Sequence, residues 1–132
     1  MRVEVNRVSD KRLLVHTADT SIVVDALAEN GGPGDGVRST ELLLASFGAC
    51  MTGTMLDFAT TQGIPVTDVR VVLEDTEAGP PKRIGTISVT MTISGEITER
   101  QFASLERVAA KCRIGNTLAE SPEISFEMRR AS

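Results

Sequence analysis

The chain has 132 residues, 41% of them hydrophobic and 24% charged, with a net charge of −4 and neither Trp nor Tyr. That balance fits one soluble globular domain over residues 1–132 and is too ordinary for a disordered segment. An acidic chain with no basic stripe, and no indole or phenol to stack on bases, is not suited to nucleic acid.

The first residues, Met1 to Arg7, alternate charge with valine and lack the continuous apolar core of a secretory signal. Val3 and Val5 alternate with Arg2 and Glu4, Ser9-Asp10-Lys11 supplies turn chemistry, and Arg12 to Thr17 is rich in Leu and Val. A turn at Ala18-Asp19 leads to a third strand over Thr20 to Val24, so three antiparallel strands open the chain. Residues 30–37, with four glycines and a proline, must form a loop. This loop lacks the Gly-Lys-Ser/Thr ending that grips a phosphate, so it reads as a surface connection.

Ser39 and Thr40 are candidate caps for the helix that follows, and Glu41 sits in its first turn, where a carboxylate favours the dipole. The helix should run to about Gln62 and stop at Gly63, before Pro65. It is apolar nearly all round, which predicts a buried central helix. Its longest near-apolar run, Leu42 to Met51, is about half of what spans a bilayer, so no membrane association is expected.

Val66 to Glu74 alternates as a strand, residues 75–83 form a connecting loop, and Ile87, Val89, Met91 and Ile93 give the clearest alternation in the chain. Thr98 with Gln101 is a capping box opening a second helix, with Phe102, Leu105, Val108, Ala109 and Cys112 on one face. Ile124, Phe126 and Met128 alternate with Glu123, Ser125 and Glu127 as a last half-buried strand. Three strands, helix, two strands, helix and strand make an α+β fold. Its one-sided sheet and over-hydrophobic helix call for a partner.

Cys50 and Cys112 are the only cysteines. A cytosolic location is expected, and there a cysteine pair is more often reduced, buried or catalytic than a structural disulfide. Only the thiolate is a nucleophile, so neighbours that lower a thiol's pKa decide the matter. Cys50 shares a helix face with Leu43, Ser46, Thr54, Asp57 and Thr61, a small and partly polar surface. Cys112 lies between Lys111 and Arg113, whose charges favour its thiolate, but at a helix C-terminus, whose dipole opposes it. Spacing alone leaves open that both are simply small buried hydrophobes. His16, the one histidine, has no ligand spacing with either cysteine and reads as a polar-face strand residue, so neither a metal nor a cofactor is expected. Core packing accounts for Met51, Met55 and Met91.

The run from Asn30-Gly31-Gly32 through Gly36 into Ser39-Thr40-Glu41-Leu42-Leu43-Leu44-Ala45-Ser46-Phe47-Gly48-Ala49-Cys50 resembles the OsmC/Ohr family of thiol-dependent hydroperoxide reductases. Cys112-Arg113-Ile114-Gly115-Asn116-Thr117-Leu118 is similar to that family's second-cysteine segment. The resemblance covers nearly the whole chain. It implies an interlocked homodimer in which Cys50 is peroxidatic and Cys112 resolving. It implies an organic hydroperoxide as substrate, a dithiol reductant, often lipoyl-based, and a role in oxidative-stress defence. Phe47 and Phe58 would favour organic peroxides over hydrogen peroxide.

The family's peroxidases carry a glutamate ten residues before the first cysteine, paired with an arginine; here that position is Thr40. Glu41 lies about 180° round the helix from Cys50, and Arg12 and Arg38 are the candidate arginines. The segment Glu41 to Ala45 looks more like the family's OsmC-like branch. The alternative reading is a non-enzymatic member that binds a small apolar ligand in the dimer-interface pocket or senses redox state.

Overall fold

The computed structural model describes residues 1–32 and 34–131. The chain divides into two compact units, one of residues 1–46 and 76–87, the other of residues 47–75 and 88–132. The elements are β1 (Glu4–Ser9), β2 (Arg12–His16), β3 (Ser21–Val24), α1 (Ser39–Gln62), β4 (Asp68–Ala78), β5 (Arg83–Ser94), α2 (Glu99–Ala109) and α3 (Arg113–Ala119). The three-stranded sheet, long helix, β-hairpin and following helix fall where the sequence places them.

In the first unit β1, β2 and β3 pair antiparallel in that order, with Val5 opposite Val15 and Val15 opposite Ile22. This register sets valines and isoleucine in a row across one face, the pairing that stabilises a sheet. The loop after β3 is tied back to it: the Asp25 N–H donates to the Val37 carbonyl at 2.8 Å, and Lys11 Nζ donates to the Asn30 carbonyl at 2.5 Å. Asp25 is buried, with Oδ1 accepting the Ala26 N–H at 2.8 Å and Oδ2 lying 3.9 Å from Arg12 Nε. The other side of the Arg12 guanidinium pairs with Asp35.

The N-terminus of α1 departs from expectation. Ser39 and Thr40 are already helical, and the cap is made by Arg38 and Glu41: the Arg38 N–H donates to Glu41 Oε1 at 2.9 Å, and its guanidinium pairs with the same carboxylate at 3.2 Å. A carboxylate three residues on thus satisfies the backbone N–H just before the helix, the part the hydroxyls were expected to play at its start. The helix ends as expected at Gly63, whose φ of +66° reverses the chain.

The second unit holds the main core. Met55, Ala59, Ile64, Leu105 and Ala109 are buried together, with Met51, Phe58 and Met91 among the residues packed against them. Gly48 is where α1 meets β4: a Cβ there would lie 2.6 Å from Leu73 Cδ1. The capping box of α2 forms as read, Thr98 Oγ1 accepting from the Gln101 N–H at 3.2 Å and Gln101 Oε1 from the Thr98 N–H at 3.0 Å.

Four further expectations are corrected. Strands β4 and β5 continue through most of residues 75–83, leaving a turn over 79–82, because pairing within the hairpin satisfies the backbone of the flanking residues. The central helix is not buried within its own chain. Its buried residues are Gly48, Met55 and Ala59, and only 17% of its most apolar window is buried, although the helix is long and apolar enough to cross a membrane. Cys112 is not on α2, which ends at Ala109; it precedes α3, a helix the sequence reading did not anticipate. Finally, residues 121–131 form no strand, and Ile124, Phe126 and Met128 are 82%, 84% and 83% exposed. The alternation is present, but no strand of the described chain pairs with this backbone.

Candidate functional site

The second unit brings Cys50, on α1, against Cys112, just before α3. Residues 110–112 break the path between α2 and α3, and Cys112 takes an extended conformation (φ −75°, ψ 160°) as the N-cap of α3. A helix start leaves N–H groups without intrahelical partners, and here the sulphurs take them. Cys112 Sγ accepts from the Gly115 N–H at 3.3 Å, and Cys50 Sγ accepts from the Ile114 N–H at 3.4 Å. The dipole argument made from sequence therefore reverses, since Cys112 sits at the positive end of α3 and not at the negative end of α2.

The two thiols are driven apart in acidity. The Ile114 N–H is the chief influence holding Cys50 below the ordinary cysteine range; burial opposes it, and the Cys112 thiol, the Arg113 N–H and the Thr54 hydroxyl add to the lowering. Burial pushes Cys112 above that range, since it is only 1% exposed, and the neighbouring Cys50 sulphur pushes it further; the Gly115 and Ile114 N–H groups oppose this. Hydrogen bonds to a charged form favour it, and desolvation disfavours it. The pair thus consists of a half-exposed sulphur inclined to be thiolate and a buried one inclined to remain a thiol.

Gly115 packs closely against the site. A Cβ on it would lie 3.2 Å from Phe47 Cε1 and 3.3 Å from Cys112 Sγ. Phe47 accordingly borders the site as expected, whereas Phe58 packs against the hydrophobic core. Arg12 and Arg38 are both occupied by carboxylates of their own unit, Asp25 and Asp35 for the first and Glu41 for the second. His16 Nδ1 is 2.9 Å from Ser21 Oγ across β2 and β3. Among the described residues no three His, Cys, Asp or Glu side chains converge as a metal site would require.

The reading from sequence missed the roles of Arg113, Ile114 and Gly115, because they act through backbone N–H groups that side-chain identity does not reveal. Thr54 was visible on the Cys50 face, but only the fold gives its hydroxyl a partner. Between α1, β5 and α2 lies a half-open, mostly apolar cavity of about 370 Å³ lined by Met51, Met55, Met91, Phe102 and Leu105, with Thr90 and Glu106 as its polar members and neither cysteine in its wall.

A hairpin, a long cysteine-bearing helix and a second cysteine capping a short helix define an α+β two-thiol protein. Solved structures share the fold at low sequence identity. One is a proposed osmotic-stress-induced and detoxification-response protein from Psychrobacter arcticus (TM-score 0.80, 20% identity, covering 87% of this chain and 85% of that one). Another is an OsmC-like protein from Mycoplasma pneumoniae (0.79, 17%, 91% and 87%). A third is an organic hydroperoxide resistance protein, OsmC, from Legionella pneumophila (0.69, 18%, 90% and 88%). No curated protein matches the chain. The family described as OsmC-like protein matches residues 32–127, and the chain belongs to it.

Proposed function

We propose that this protein reduces organic hydroperoxides through a two-cysteine cycle. The observation that carries the reading is the contact between two thiols of opposite acidity, one sulphur accepting the Ile114 N–H and the other the Gly115 N–H. The Cys50 thiolate attacks the distal oxygen of the hydroperoxide and the O–O bond breaks; the alkoxide takes a proton and leaves as alcohol, and Cys50 becomes a sulfenic acid. The Cys112 thiol then attacks that sulphur, forming a disulfide and releasing water. A dithiol reductant supplies two electrons and two protons to restore the pair. With Thr40 in place of a glutamate, thiolate stabilisation falls to the N–H groups of α3 and to Thr54.

The same reading makes the protein a cytoplasmic homodimer. The 17% burial of the apolar window of α1, with the exposed Val3, Val5, Ile124, Phe126 and Met128, supports a second copy as the cover. The polar residues Asp57, Thr60, Thr61 and Gln62 at the end of the helix count against lipid in that role. Sedimentation velocity tests the assembly; a monomer at micromolar concentration would refute it.

Free thiols counted by mass spectrometry before and after one equivalent of cumene hydroperoxide test the chemistry. The reading expects loss of two thiols to a Cys50–Cys112 disulfide in the wild type, and a sulfenic acid on Cys50 in Cys112→Ser. Survival of both thiols in excess peroxide refutes it. The cavity beside α1 favours a second reading in that event, a binder of small apolar molecules.

A further inference from the structure

Helix α2 carries its apolar residues as one stripe, and one position on that stripe does not suit a core. Phe102, Glu106 and Ala109 follow one another at i, i+4 and i+7, so Glu106 stands where the amphipathic pattern calls for an apolar side chain. All three line the half-open cavity of about 370 Å³ between α1, β5 and α2, in which Glu106 is the only ionisable residue among those described. That volume lies within the range of about 300–1,000 Å³ usual for small-molecule sites. Met51 and Met55 from α1 and Met91 from β5 give its wall three flexible thioethers, side chains that adapt to the shape of an apolar guest. Phe102 is 47% exposed and is the i,i+4 neighbour of Glu106, which sets an aromatic ring beside the carboxylate. No cation among the described residues lies within ion-pair distance of Glu106, and the adjacent Arg107 turns to Ser104, its Nη2 donating to Oγ at 3.4 Å. The cavity therefore combines an apolar wall, an accessible ring and one carboxylate without a cation to match it.

We propose that this cavity binds a small amphipathic cation, an alkylammonium whose apolar body lies among the methionines and whose ammonium group pairs with Glu106 against the Phe102 ring. The inference rests on the reading of the cavity as a ligand site and adds the charge class of the ligand; it does not rest on the two-cysteine cycle, since neither cysteine lines the wall. Three contributions select this class. Burying the apolar body removes its surface from water. The ammonium gives Glu106 an ion pair and gives the ring a cation for its negative face. A neutral guest would shield the carboxylate from water without supplying a partner, and an anionic guest would meet like charge, so both are disfavoured.

The test uses octylamine, 1-octanol and octanoate, one chain length with three head groups, titrated calorimetrically into the reduced protein at neutral pH and low salt. Octylamine is expected to bind about five- to tenfold more tightly than 1-octanol, with octanoate weakest. In Glu106→Gln, a substitution at an exposed position, the preference for octylamine over 1-octanol should fall to about one, whereas a general attraction of cations to an acidic chain would survive. Place is read separately from affinity. Three of the five methionines line the cavity, so in methyl spectra of methionine-labelled protein octylamine should move the signals of Met51, Met55 and Met91 and leave those of Met1 and Met128. An unchanged preference in Glu106→Gln, or shifts confined to Met1 and Met128, overturns the inference. Equal binding of the three probes by the wild type overturns the charge class and leaves a neutral apolar site. Binding of none of them overturns the ligand site and this inference with it, and leaves the two-cysteine cycle standing.

Discussion

Removing Arg12 should unsettle the first unit through Asp25 more than through Asp35. The Asp25 side chain is fully buried, and among the described residues the cation paired with its Oδ2, which lacks a hydrogen-bond donor, is Arg12 Nε at 3.9 Å. At an effective dielectric near 20, unit charges at that distance attract by about 4 kcal/mol. Arg12's side chain is 31% exposed, so solvent screens part of this, and about 2 kcal/mol is the expected cost of Arg12→Leu. Asp35, at 57% side-chain exposure, is more screened, but the neighbouring Asp25 carboxyl is the chief influence holding it low, so Asp35→Asn removes the acidic neighbour of the buried group as well as a screened ion pair. With neither Trp nor Tyr in the chain, urea unfolding is followed by far-ultraviolet circular dichroism. In an Asp25→Asn background the amide oxygen still accepts the Ala26 N–H and Arg12 keeps only the screened Asp35 as its partner, so Arg12→Leu should cost under about 1 kcal/mol there. Equal costs in the two backgrounds would refute the account, because the loss would then come from packing of the arginine stem.

Other expectations follow from the thiols and the core. Iodoacetamide should label Cys50 with a midpoint below that of free cysteine, and Cys112 only at higher pH and more slowly; one shared midpoint would contradict the opposed shifts. The linked stability has a defined sign: the contribution from Cys50 is fully present above the pH where an unfolded thiol ionises, and is lost as pH falls through its own lower value. Cys112→Ser should keep the cap on α3 and Cys112→Ala should remove it, so exchange of the Gly115 amide, read by nuclear magnetic resonance, accelerates only in the alanine variant. Met55→Ala should lower unfolding free energy by about 2–4 kcal/mol in urea titrations, since Met55 is 1% exposed within the core cluster; a loss under about 1 kcal/mol would mean the cluster collapses around the gap.

How far the sequence could be read depended on whether the signal was local. The capping box at Thr98 and Gln101 and the stop at Gly63 are decided by residues within one turn, and both form as read. Cysteine is not a usual N-cap, and Ala110-Lys111 contains no helix breaker, so nothing in the sequence marks α2 as ending at Ala109 and α3 as starting at Arg113. Periodicity identifies a side that wants cover without saying what covers it. This is why α1 and the alternating segment at Ile124, Phe126 and Met128 were both assigned to an interior that the described chain does not supply. The pairing of the thiols was legible from the resemblance of their two segments. The donors that make the sulphurs different were not, because they are main-chain groups whose direction is set by the fold.

Gly115 makes one cost of the site visible. It lies in the first turn of α3, and its backbone is not in the left-handed region, so helix formation alone would favour alanine there by about 1 kcal/mol. Alanine's methyl group would be thrust between the Phe47 ring and the Cys112 sulphur. Helix formation and room for the sulphur therefore make opposite demands on one position, and glycine serves the sulphur. An attempt to stabilise this protein by consensus helix-forming substitutions would reach Gly115 early, and there the gain in helix propensity is set against a shift of the Phe47 ring or the Cys112 sulphur by a few tenths of an ångström.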